Sequence, residues 1–206
     1  MKTPITLIGI ASLSLFLVGC FGSARVQQKT VQKHAFLPIV APAPAQTTRF
    51  AAIKIRTFRT LPPFDARTII VRRPGDEFVC DTYNTWIAAP NDLFRSQTAR
   101  YLEETHLFSA VYDASSGTLP PLGLEGVISE LYLDFTGKKP VAVVTLRLLI
   151  LNERIPAFTV LYSAEKTGRF AFDPSDKVSL SKVFGQALTQ ALEAQAHSLM
   201  ETSLPQ

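Results

Sequence analysis

Val141 to Leu151 reads V-A-V-V-T-L-R-L-L-I-L, an apolar run broken only by Thr145 and Arg147. Crossing a bilayer as a helix takes about 20 apolar residues, so this run is too short, and it carries a charge. It predicts instead a central β-strand, covered on one face and half covered on the other. Such a strand needs a neighbour on each edge and a layer over one face.

The rest of the chain offers both. In the stretch from Phe50 to Arg59, alternation puts Ile53 and Ile55 on one face and Lys54 and Arg56 on the other, which predicts a half-buried strand. Leu61-Pro62-Pro63-Phe64 ends it, because proline has no N–H for a ladder. Thr68–Arg72 and Thr82–Ala88 predict two short strands around the turn-rich Pro74-Gly75-Asp76. Leu124 to Phe135 predicts a longer one, with Val127, Leu131, Leu133 and Phe135 on one face. Ala110–Tyr112 returns to the sheet, and Ala157–Thr167 is the hairpin partner of the apolar run.

Two segments have the helical period. Pro90-Asn91-Asp92 suits a first turn, with proline pre-set at N1 and the carboxylate at the positive end of the dipole. Phe94, Thr98, Tyr101 and Leu102 then fall on one stripe. Asp173 to Met200 places Leu180, Val183, Phe184, Ala187, Leu188, Ala191, Leu192 and Leu199 at helical spacing behind Asp173-Pro174-Ser175-Asp176. The fold class expected is α+β: a mainly antiparallel β-sheet with two α-helices packed on one face, over residues 49–206. With 206 residues and 47% hydrophobic content, one core is the expectation.

The first nineteen residues are of another kind. Lys2 is followed by an apolar segment from Ile5 to Val18, the charge and length of a secretory signal. Leu17-Val18-Gly19-Cys20 then resembles the bacterial lipobox. That resemblance implies S-diacylglycerol on the Cys20 thiol, cleavage after Gly19 and N-acylation of the new terminus. Two or more acyl chains anchor durably where one does not, at ~0.8 kcal/mol per buried CH₂. In such lipoproteins Asp after the cysteine favours the inner membrane, so Phe21 implies the periplasmic face of the outer membrane. Residues 20–48 read as a lipidated tether and linker, with a short strand-like stretch at 35–40 and the proline-rich Ala41-Pro42-Ala43-Pro44. With Cys20 lipidated, Cys80 has no intrachain disulfide partner and is expected to be a small, partly buried apolar residue.

The charge of +4 is dispersed and shows no basic cluster, so nucleic acid is not an expected partner. His34, His106 and His197 have no Cys, His or carboxylate at ligand spacing, so no metal and no cofactor are expected. Ser163-Ala164-Glu165-Lys166-Thr167-Gly168 contains both S-x-x-K and K-T-G, marks of serine penicillin-recognising enzymes, but the two share Lys166. That chemistry needs them on separate elements across a cleft, and the chain is expected not to be an enzyme. Tyr83 and Trp86, ahead of the first helix, form either an exposed contact surface or the lip of a ligand groove, or else core aromatic packing at the junction of sheet and helix.

Leu61-Pro62 with Asp65-Ala66-Arg67, then Ile70-Val71-Arg72-Arg73, then Trp86 ahead of a helix at Pro90, resemble the ABC-type transport auxiliary lipoprotein family. This is the group that includes the paraquat-inducible-operon outer-membrane lipoprotein. Pro63-Phe64 stands where members usually have Tyr-Leu. The resemblance implies a non-enzymatic auxiliary component of an intermembrane lipid or hydrophobic-solute transport system. Its partners would be an MCE-domain periplasmic protein and the associated inner-membrane permease and ATPase, and a homo-oligomer is compatible with it. Arg72, Arg73, Tyr83 and Trp86 are the candidate partner-binding residues. Two other readings stay open: a lipoprotein that itself binds a lipid or small hydrophobic ligand, and an outer-membrane assembly factor.

Overall fold

The computed structural model of the chain describes residues 30–36, 48–154, 159–175 and 179–204. Cys20, the apolar run before it and residues 21–29 and 37–47 of the expected tether lie outside the described residues. From Val31 onward the chain belongs to one unit.

In that unit the elements run β1 (Gln32–His34), β2 (Ile53–Thr60), β3 (Thr68–Arg73), β4 (Glu77–Trp86), α1 (Pro90–Thr105), β5 (Val111–Tyr112), β6 (Leu122–Asp134), β7 (Val141–Asn152), β8 (Thr159–Ala171) and α2 (Leu180–Met200). The apolar run is β7, and it is central as expected. It pairs antiparallel with β6 on one edge and β8 on the other. The second edge of β6 is shared by two strands, both parallel to it: β2 against Leu122–Ile128 and β3 against Tyr132–Asp134. Thus β2 and β3 run end to end beside one strand, and Leu61-Pro62-Pro63-Phe64 marks the break between them. Leu61 N–H still donates to Ile128 O at 2.9 Å, so the ladder continues to the last residue before the prolines.

The longest ladders are antiparallel, which makes the sheet mainly antiparallel, while β1·β4, β2·β5, β2·β6 and β3·β6 are short parallel pairs. The β3–β4 hairpin turns at Gly75 (φ 89°) and Asp76 (φ 60°), left-handed values that glycine adopts without steric cost. Both helices cover one face. Leu124, Ile128, Leu146, Ile150, Ile53 and Ile55 point toward them and are fully buried. An aromatic chain ties the layer together: Phe94 of α1 meets Phe36 at 5.0 Å, Phe36 meets Trp86 at 5.1 Å, and Trp86 meets Phe184 of α2 at 4.9 Å.

Several expectations are corrected in detail. Residues 32–36 are not tether: β1 pairs with β4 and Phe36 is buried, so the domain starts before residue 49. Residues 35 and 36 lie outside any strand. A register shift between Ile128 and Glu130 adds one residue to β6 and flips its parity, so Val127 faces away from Leu131 and Leu133. Helix α2 begins at Leu180, not Asp173. Ser179 is its N-cap, with Oγ accepting from Lys182 N–H at 3.3 Å, while Asp173 closes a separate turn onto Ser175. Cys80 is exposed, because β4 is covered by no layer at that position.

Helix α2 lies directly on β8. A Cβ on Gly168 would stand 1.8 Å from Ala187 O and 2.9 Å from Ala191 N, so only glycine allows helix backbone to rest on strand backbone there. Gln195 pins the other end. Its Nε2 donates to Leu146 O (2.8 Å) and Ala164 O (3.0 Å), and its Oε1 accepts from Tyr162 OH at 2.6 Å. A buried carboxamide is stable only when its groups are paired in this way.

Candidate interaction surface

Because successive strand residues point to opposite faces, the rows flanking the core rows emerge on the side away from the helices. One such row is Ile70 beside Tyr132 and Cys80, and the next is Arg72 beside Asp134 and Phe78. The loop after β2 folds over this side and lays Phe64 against it. Phe64 stacks on Tyr132 at 5.8 Å, and Phe78 meets Tyr132 edge-on at 5.4 Å. Phe78 is 46% exposed, so the cluster is a small core open at its rim.

Arg72 closes this rim. Its guanidinium bonds to Asp76 on the hairpin turn, reaches Asp134 at 3.4 Å and lies 6.0 Å above the Phe78 ring. The hydrogen bond to Asp76 raises the guanidinium above its usual pKa against a smaller opposing effect of burial, and the charge of Asp134 adds to the rise. Burial works upward on the Asp134 carboxyl, but two hydrogen bonds from Thr136 and the charge of Arg72 outweigh it and hold the group below the usual range.

The sequence candidates separate in space. Arg73 follows Arg72 in β3 and therefore points to the other face. Trp86 is 1% exposed inside the aromatic chain, which makes it a core residue and removes it from any surface in this conformation. Tyr83, 40% exposed, sits in a bulge of β4, where the pairing slips between Cys80 opposite Ile70 and Thr85 opposite Thr68. Asp81 holds that bulge by accepting from Tyr83 N–H (2.8 Å) and Asn84 N–H (3.0 Å), and Asn84 bridges on to His34 at 2.8 Å. Phe78, Tyr132 and Phe64 were not singled out from the sequence, since their meeting depends on three separate elements. The exposed Phe78 in a short hairpin was the available signal.

The other residues weighed for chemistry lie on separate elements. The hexapeptide Ser163 to Gly168 lies within the single strand β8, so its two motifs cannot face each other across a cleft, and Gly168 serves the seat of α2. His106 is the left-handed C-cap of α1, and His197 is an exposed residue of α2 lying 3.6 Å from Glu201. Among the described residues no cluster of His, Cys, Asp and Glu is arranged to hold a metal ion. None of the described helices is long and apolar enough to cross a membrane.

A cleft of about 420 Å³ opens elsewhere, between β2, the first turn of α1 and the loop after β5. Lys54, Arg56, Asp92, Arg95, Leu119 and Glu153 line it. Glu153 can lie flat on β6 because position 123 is glycine: a Cβ there would stand 1.9 Å from its Oε1. Arg56 Nε is 3.2 Å from that oxygen. Arg95 lies 3.9 Å from Asp92 and 3.5 Å from Asp113, and Lys54 Nζ donates to Ser116 O at 2.6 Å.

No family model and no curated protein matches the chain. Solved structures do. The crystal structure of protein XCC0632 from Xanthomonas campestris, a DUF330-family protein, superposes with a TM-score of 0.63 at 20% identity, over 83% of this chain and 95% of that one. The likeness is one of fold. An uncharacterized protein follows at a TM-score of 0.55 and 10% identity, over 82% of this chain and 99% of its own. Hypothetical protein CT253 from Chlamydia trachomatis gives 0.53 and 7%, over 74% and 97%. The α+β architecture, with helices packed on an eight-stranded sheet, is therefore one that these proteins share over 74–83% of this chain.

Proposed function

We propose that this chain is a lipid-anchored envelope adaptor: a non-enzymatic auxiliary component of an ABC-type, MCE-linked system that moves lipid or another hydrophobic solute between membranes. Cys20 is its acylated residue, and the outer membrane, periplasmic face, is its address. The domain docks to the MCE-domain protein that serves the inner-membrane permease and ATPase.

The observation that carries this reading is the exposed aromatic and arginine rim on the sheet face opposite the helices. Aromatic residues and arginine are the types enriched at protein interfaces, where a ring contributes area and a guanidinium contributes directed bonds. Phe78 and Arg72 offer both, one on each strand of the β3–β4 hairpin. The lipobox-like segment and the family resemblance support the anchoring and the transport context.

The test is photo-crosslinking in intact envelopes, with a photoreactive residue placed at Phe78 and at Tyr83 and a control at His197 on α2. A product at Phe78 containing an MCE-domain protein, absent at His197, supports the reading. A product containing an outer-membrane β-barrel from the same position would replace it with the assembly-factor reading.

A further inference from the structure

The cleft beside β2 is built from charges of both signs that converge on one space. Lys54, Arg56 and Arg95 bring three cations, and Asp92 and Glu153 bring two carboxylates into its lining. The arrangement is fixed from below. Glu153 is held on the bare backbone of Gly123, with only 12% of its side chain exposed. Its Oε1 is buried and accepts no aligned hydrogen bond, although Arg56 Nε stands 3.2 Å away. That oxygen is sealed against the floor, so what the cleft sees is the remaining exposed part of the Glu153 carboxylate, a charged acceptor for an ammonium group entering it.

Arg95 is held more loosely, at 3.5 Å and 3.9 Å from its two acids, distances that leave donors able to turn toward an incoming oxyanion. Leu119, 86% exposed, gives the mouth an apolar lip. At about 420 Å³ the space falls within the range of small-molecule sites, roughly 300–1,000 Å³.

We propose that this cleft binds a small zwitterion carrying an ammonium group and an oxyanion. The ammonium donates to Glu153, and the oxyanion is taken by Arg95 with Lys54 and Arg56 beside it. Both a free metabolite and the headgroup of an ethanolamine phospholipid have this chemistry. The inference goes beyond the docking reading and does not rest on it: a negative titration here leaves the crosslinking test untouched, and the reverse holds too.

The experiment is an NMR titration of the purified full-length protein in detergent with three probes: glycerophosphoethanolamine, glycerol 3-phosphate, which lacks the ammonium, and glycerophosphocholine, whose quaternary nitrogen cannot donate. The expected result is saturable binding of the first, with shifts at residues 54–58, 91–95 and 153. The other two probes should bind about tenfold more weakly or worse, the loss of one charge-assisted hydrogen bond. Glu153→Gln should weaken glycerophosphoethanolamine and leave glycerol 3-phosphate unchanged. Arg95→Gln, at a partly exposed position of α1, should weaken both. Ethanolamine phosphate and lysophosphatidylethanolamine, added separately, separate the two sources: tighter binding of the first points to a free metabolite, tighter binding of the second to a lipid headgroup. Equal binding of all three initial probes, shifts confined to other parts of the sheet, or indifference to both substitutions would overturn the proposal.

Discussion

Gly168→Ala is the most demanding test of how α2 is seated. In an ordinary strand, replacing glycine by alanine stabilises by about 0.5–1 kcal/mol, because the unfolded chain loses less entropy. Here the new methyl carbon would stand 1.8 Å from Ala187 O, 2.8 Å from Ala187 C and 2.9 Å from Ala191 N. All three atoms are helix backbone, which cannot rotate away as a side chain would. Bringing the carbon and oxygen to a tolerable approach of roughly 3.3 Å needs α2 to retreat by about 1.5 Å. The same retreat would stretch the 2.6 Å bond from Tyr162 to Gln195 beyond hydrogen-bonding range and loosen the contact of Trp86 with Phe184. Overpacking costs about 1–3 kcal/mol and each stranded buried polar group about 1–3 kcal/mol, so the loss outweighs the entropic gain. A net destabilisation of about 3 kcal/mol is expected, lowering Tm by about 10 °C for a domain of this size. Thermal unfolding followed by circular dichroism measures it, with Gly117→Ala as the control, since nothing lies within 4 Å of a Cβ there. A Tm for Gly168→Ala equal to or above that of the parent would refute the close seating of α2.

Three further outcomes are expected. Gln195→Leu should cost about 2–3 kcal/mol by removing the bonds of Gln195 to the Tyr162 hydroxyl and to the Leu146 and Ala164 carbonyls, and adding Tyr162→Phe should recover part of it; additive losses in urea unfolding would mean that the two do not act together. Asp113, held low by its bonds to Ser115 and then by Arg95 and Lys54, and Asp134, where Thr136 and Arg72 overcome burial, both have depressed folded-state pKa values. Their stabilisation is therefore complete above the unfolded value of about 4 and is lost as pH falls through the lower folded values. Unfolding midpoints should drop steeply below about pH 4, and Asp134→Asn should flatten that drop. Cys20→Ala should abolish acylation and leave an unprocessed precursor by mass spectrometry, whereas Cys80→Ala should not; Cys80 itself should react with a maleimide in the native protein, as an exposed thiol does.

What was legible in the sequence was local and periodic. The apolar run from Val141 to Leu151 could be nothing but a doubly paired strand, since its length and charge ruled out the alternatives. The stripe of Phe94, Thr98, Tyr101 and Leu102 named the buried face of α1, and Pro90 marked its start within one residue. Those signals depend on the period of one element and on side chains a few residues apart. Parity along β6 was not legible, because one inserted residue between Ile128 and Glu130 reverses it without changing the composition. Nor was the pairing of β2 and β3 with a single strand, which joins residues some seventy positions apart in the chain.

The candidate surface and the cleft belong wholly to that second class. Phe64, Phe78 and Tyr132 come from a loop, a hairpin and the central sheet, and no spacing in the sequence links them. Trp86, a plausible contact residue by type, is buried because Phe36 and Phe184 converge on it from opposite ends of the chain. By itself the sequence determined the class of fold, for that follows from hydrophobic periodicity. Only the tertiary structure decided which faces stay open, because exposure depends on what the long-range pairings place on top.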